Sequence, residues 1–115
     1  MRITASAPTR IDLAGGTIDI WPLYLFHEGA LTLNAAISLR AQVTIDPLPD
    51  GRIELVSVDT GHQVVAHHWS ELTAANALPL LSLAARHYQV TGVRVTTEGR
   101  SPAGAGIAGS SALAI

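Results

Sequence analysis

Cysteine and lysine are both absent from this 115-residue sequence, and aromatic side chains make up only 4% of it. Without cysteine there is no disulfide and no thiolate metal site, and nothing argues for an oxidising compartment, so a cytoplasmic protein is the expectation. Without lysine, every phosphate-binding scheme that depends on a lysine within this segment is excluded. No window holds the roughly 18 uninterrupted apolar residues of a membrane span, and "MRITASAPTR" lacks the apolar core of a signal peptide. The seven arginines are scattered singly and the formal net charge is −2. That distribution leaves no basic patch for nucleic acid or an anionic membrane, so neither partner is expected.

What is present is a chain that is 48% apolar, of a length that supports one domain with a core of its own. Ile3 to Leu13 is rich in β-branched and small residues, and Pro8 divides it into an edge strand, a kink and a second short strand. The diglycine Gly15–Gly16 reads as a turn. The apolar segment 18–26 follows, interrupted by Pro22, and "HEGA" at 27–30 reads as a turn. Residues 31–39 and 41–48 read as two strands, the second alternating at Val43 and Ile45. After the "LPDG" turn, two further strands, "RIELVSVD" and "HQVVAHH", complete an expected antiparallel meander. Ser70 is the expected N-cap of a helix over 71–77, and Pro79 opens a second helix over 79–89, ended with the help of Gly92. "VRVTTEG" alternates as a last strand. Strands, a helical region and one more strand make an α+β chain, without the regular alternation of a doubly wound sheet.

Two stretches carry chemistry. "SPAGAGIAGSSALAI" places Gly104, Gly106 and Gly109 after a strand and before Ser110 and Ser111 at the start of an apolar run. Glycines that admit close approach, with free N–H groups at a helix N-terminus, suit a phosphate, and serine hydroxyls suit its oxygens or Mg²⁺. The Walker pattern is not met, because no lysine follows Gly109, whereas G-x-G-x-x-G is formally matched at 104, 106 and 109. Glycine spacing alone leaves a phosphate cradle and a plain loop as equal alternatives. "APTRIDLAGGTID" gathers Arg10, Asp12, Thr17 and Asp19 around the diglycine. Arg10 offers a planar, permanent cation for phosphate and Asp19 an acceptor for hydroxyls. The competing reading makes Arg10 and Asp12 a surface ion pair and Asp19 a helix cap. The adjacent His67 and His68 point apart and are not expected to share a metal. His27 reads as a turn residue, and Trp21 as packing or as the wall of a substrate pocket.

Together the two stretches resemble the motifs of the GHMP kinases, a family named for galactokinase, homoserine kinase, mevalonate kinase and phosphomevalonate kinase. "APTRIDLAGGTID" is similar to the first motif and "SPAGAGIAGSSAL" to the second, Pro-x-Gly-x-Gly-Leu-Gly-Ser-Ser-Ala, in the same order. The resemblance implies the α+β fold of these kinases, similar to a ribosomal small-subunit protein domain: an antiparallel or mixed sheet with helices on one side. Residues 1–115 would be the N-terminal part of the kinase N-terminal domain. It further implies an ATP- and Mg²⁺-dependent kinase acting on a small hydroxyl-bearing metabolite. By position, Pro102, Gly104, Ala105, Gly106, Ile107, Ala108, Gly109, Ser110 and Ser111 would cradle the ATP phosphates, with Ser110 or Ser111 near Mg²⁺ and Asn34 at the nucleotide pocket. Arg10 would stabilise the transferring charge, and Gly16, Thr17 and Asp19 would hold the acceptor. "AGG" at 14–16 leans toward the branch acting on heptose phosphates and fucose, so a sugar or sugar phosphate is the expected acceptor, with a mevalonate- or homoserine-type kinase as the alternative.

Three departures qualify the match. "GIAGSSA" carries one residue more than the family's motif, Ile18 stands where a threonine is usual, and the family's catalytic aspartate and third motif lie beyond residue 115. These residues alone are therefore expected to be inactive and open to self-association. A non-catalytic sugar- or nucleotide-binding module of the same fold is the reading from a different functional class.

Overall fold

A computed structural model describes residues 1–16, 18 and 20–100. Five strands form one mixed sheet: β1 (Ile3–Ala14), β2 (Leu33–Pro47), β3 (Ile53–Ser57), β4 (His62–Ala66) and β5 (Val93–Gly99), in the spatial order β1-β2-β5-β3-β4. One α-helix, α1 (Pro79–His87), packs on one face, and short 3-10 turns occupy Leu23–Phe26 and Trp69–Glu71. The α+β mixed sheet with its helical layer on one side is as expected, with a single α-helix among the described residues.

Several local expectations are corrected. The stretch 31–48 is one 15-residue strand rather than two, since β2 runs unbroken from Leu33 to Pro47 with partners on both sides. Pro8 does not divide β1. As an edge strand β1 leaves half its N–H groups without a ladder partner, so a missing donor there costs little, and the irregularity appears instead as a register shift between Pro8 and Arg10. The meander also fails. β3 does not pair with β2, because β5 enters between them, antiparallel to β2 and parallel to β3.

The helix expected over 71–77 is absent. His68, not Ser70, caps the 3-10 turn, with its ring nitrogen accepting from Ser70 N–H at 3.3 Å. Downstream, Thr73 and Asn76 turn their side chains onto the backbone, with Leu78 N–H donating to Asn76 Oδ1 at 2.9 Å. Such local bonds offer the chain an alternative to helix. Pro79 does occupy the first turn of α1. The chain leaves the helix through Gln89 at φ 51°, three residues before Gly92.

The core lies between α1 and the β3 side of the sheet. Ile53, Leu55, Ala66, Leu72, Leu78 and Ala85 are buried there, flanked by Val64, Trp69, Leu81, Val90 and Val95. Ile45, Val95, Leu55 and Val64 stand opposite one another across four strands, so the period-2 alternation of each strand delivers one continuous apolar row. The opposite face carries charge. In the neighbouring row, Glu54 is buried between Arg94, whose Nε lies 2.5 Å from Oε2, and Arg52, 2.8 Å from Oε1. The hydrogen bond from Arg94 holds the Glu54 carboxyl below the usual carboxylate range against opposing desolvation, with the nearby Arg52 charge adding to it. Asp46 is held low in the same way by its hydrogen bond from Arg2.

Candidate functional site

β1 and β2 continue together past the end of β5. Gly99 stands opposite Ala41, and Arg100 N–H donates to the Arg40 carbonyl at 3.3 Å, whereas β2 extends on to Leu33. The chain therefore leaves β5 at Arg100 heading in the direction in which the hairpin runs on to Arg10, Asp12 and Asn34.

Arg10 and Asp12, two apart on β1, share one face of the strand, and Arg10 Nε lies 3.3 Å from Asp12 Oδ1. The ion pair of the competing reading is thus present. It is half-exposed and uses only Nε, which leaves the outer nitrogens of the guanidinium outside that contact. Asn34 is directly opposite Asp12 in the antiparallel register. Gly16 closes the group from the turn: a Cβ there would sit 2.7 Å from Asp12 Oδ2, so only glycine lets the carboxylate pack against the backbone. Gly15 is held at φ 79°, and its carbonyl accepts from Ile18 N–H at 3.0 Å and Thr32 Oγ1 at 3.1 Å.

Among the sequence candidates, the structure brings together Arg10, Gly16 and Asn34. Thr17, Asp19, Pro102, Gly104, Ala105, Gly106, Ile107, Ala108, Gly109, Ser110 and Ser111 lie outside the described residues. Asp12 is the residue that sequence reasoning placed in the cluster without assigning it to the site, yet it touches Arg10 and Gly16 and faces Asn34. Its signal was the Arg-x-Asp spacing within a strand.

Beyond the diglycine turn lies a cleft of about 300 Å³ lined by Ile18, Tyr24, His27, Gly29, Ala30 and Thr32. No local pattern announces it, because the lining comes from a 3-10 turn, a loop and the approach to β2. Trp21 is not part of that lining and is 75% exposed. Among the described residues no group of three or more His, Cys, Asp or Glu side chains is placed to hold a metal ion, and no helix is long and apolar enough to cross a membrane.

The fold is found in solved structures. A D-glycero-D-manno-heptose 1-phosphate kinase from Bacteroides thetaiotaomicron superposes with a TM-score of 0.74 at 28% identity, covering 98% of this chain and 38% of that one. The chain has the N-terminal part of a GHMP kinase-like fold. A mevalonate kinase from Methanococcus jannaschii shares that fold, with a TM-score of 0.75 at 15% identity over 98% of this chain and 37% of its own. In sequence, the chain is 31% identical over 136 aligned residues to the L-fucokinase/L-fucose-1-P guanylyltransferase of Bacteroides fragilis. That alignment takes in 94% of this chain and 14% of the relative. The chain is homologous to the GHMP sugar kinases, and it spans well under half the length of these relatives. No family model matches it.

Proposed function

We propose that the protein to which these residues belong is an ATP-dependent kinase of the GHMP type whose acceptor is a sugar or sugar phosphate. The observation that carries the reading is spatial. β5 hands the chain on at Gly99, heading toward the end of the β1–β2 hairpin, and the half-exposed Arg10 guanidinium and the diglycine turn lie farther along that hairpin. That relatives at 28% and 31% identity are a heptose 1-phosphate kinase and an L-fucokinase supports the acceptor class.

The described residues suit a polyphosphate. The outer guanidinium nitrogens of Arg10, outside its contact with Asp12, can donate to phosphate oxygens. ATP supplies the phosphoryl group, and Mg²⁺, held with Ser110 or Ser111, neutralises charge on it. The chain's own contribution is positioning and electrostatics. Arg10, steadied by Asp12, stabilises negative charge as it develops on the transferring group. Residues 102 and 104–111 cradle the phosphates, and Asn34 hydrogen-bonds at the nucleotide side. Gly16, Thr17 and Asp19 hold the acceptor, and the cleft edged by Tyr24, His27 and Thr32 offers groups that can bond sugar hydroxyls.

The test is ATP turnover by the full-length protein over a panel of sugars, sugar 1-phosphates, mevalonate and homoserine. Phosphorylation of a sugar or sugar phosphate in preference to the other acceptors is the expected result. No turnover with any acceptor, together with no nucleotide binding by calorimetry, would sink the proposal.

A further inference from the structure

β3 and β5 run parallel and end side by side, at Ser57 and Gly99. The way this pair terminates sets where the chain leaves the sheet. The pair is tightly finished. Val58 N–H donates to the Thr97 carbonyl at 2.9 Å, and the buried Thr97 donates its hydroxyl to the Val56 carbonyl at 3.4 Å. The next donor along β5, Gly99 N–H, goes instead to a side chain, Asp59 Oδ1, at 3.4 Å. The same oxygen accepts from the hydroxyl of the buried Ser57 at 3.1 Å. A carboxylate thus continues the ladder for one step after β3 has turned away.

On its other edge the end of β5 is held by β2, through the Arg100 to Arg40 bond. Gly99 and Arg100 are therefore fixed from both sides, immediately before the run that starts at Ser101. A carboxylate serving only its own turn would bond Ser57 and nothing on β5. Asp59 does both, and its Oδ2 also lies 3.7 Å from where a Cβ at Gly99 would be.

We propose that Asp59 is a positioning residue for phosphoryl transfer: its carboxylate fixes the exit of β5 and thereby the point from which the Gly-rich run begins. The role rests on the kinase reading above. Asp59 touches neither nucleotide nor acceptor and acts through the Gly99 amide.

The experiment compares Asp59→Ala and Asp59→Asn with wild type in the full-length protein, by amide hydrogen exchange at Gly99, Mg·ATP affinity by calorimetry, and thermal midpoint. Asp59→Ala is expected to speed Gly99 exchange and to weaken Mg·ATP binding about fivefold, the scale of one charge-assisted hydrogen bond. The thermal midpoint should fall by only a few degrees, because Asp59 is exposed and the loss is confined to its bonds with Ser57 and Gly99. Asp59→Asn keeps the accepting oxygen and should recover most of both losses. The proposal is overturned if Gly99 exchanges at the wild-type rate in Asp59→Ala, if Mg·ATP affinity is unchanged there, or if Asn is as impaired as Ala. A wild type that binds no Mg·ATP overturns the kinase reading itself and this role with it. Unchanged affinity in Asp59→Ala beside a binding wild type removes the role of Asp59 alone.

Discussion

Arg10 contributes a charge whose use depends on what surrounds it. Paired through Nε to Asp12, the guanidinium is oriented, and its outer nitrogens remain outside that contact. Arg10→Ala should therefore lower turnover of the full-length kinase by about 100-fold, as loss of one transition-state donor does, while Mg·ATP affinity falls much less. Steady-state kinetics beside calorimetry separates the two, and equal wild-type rates would remove the assigned role. Gly16→Ala acts on the same pair from behind. Its Cβ meets Asp12 Oδ2 at 2.7 Å and Asp12 Cβ at 2.8 Å, so the turn must move away from β1 and the Asp12–Arg10 pair is disturbed, with an expected loss of about 10- to 100-fold in turnover. The Arg-x-Asp pair was legible because a strand places alternate residues on one face. Asn34 beside Asp12 was not, since that contact depends on a register containing a shift that no local pattern announces.

At the scale of elements, alternation was legible strand by strand, as at Val43 and Ile45, whereas the buried row that α1 covers came only with β5 between β2 and β3. Leu55 is 1% exposed in its middle, and Leu55→Ala should cost about 3 kcal/mol for lost transfer energy and the cavity left behind, read as a lowered urea midpoint. The other face of the same strands makes stability depend on acid. Glu54 has its carboxyl lowered by the bond from Arg94 and Asp46 has its lowered by the bond from Arg2. The unfolded chain accordingly binds protons at higher pH than the folded one. Their contribution is complete above the ordinary carboxylate range and is lost as pH falls through the lowered values. Urea midpoints at neutral pH and at pH about 3 should differ less for Glu54→Gln than for wild type. A variant that keeps the full acid limb would show that Glu54 is not its source. The boundary errors have a common cause: Pro8 and the split of 31–48 were judged from local signals, whereas an edge position and partners on both sides decided those elements.

The whole molecule is long for its size. Its extents are 53 × 29 × 23 Å and its radius of gyration is 16.7 Å, against about 13 Å for a compact domain of this length. The long hairpin of β1 and β2 is the reason, and beside it Leu13, Trp21, Leu25, Phe26, Leu31 and Leu33 are all 60% exposed or more. Exposed apolar surface of that kind drives association. Residues 1–115 studied alone should scatter light as concentration-dependent oligomers, and Trp21→Ser with Phe26→Ser should shift them toward monomer. A clean monomer at high concentration would count against this.

Composition and two motifs by themselves determined the α+β class, the absence of lysine from any phosphate scheme in these residues, and the resemblance to the GHMP kinases. Those follow from residue identity and short-range spacing, which the chain carries in one dimension. Only the tertiary structure decided that β5 enters between β2 and β3, that Asp12 faces Asn34, and that Asp59 reaches Gly99. Each of those joins residues far apart in the chain or set by strand register, and their meeting is selected by the burial of one continuous apolar row under α1, not by any preference the local sequence expresses.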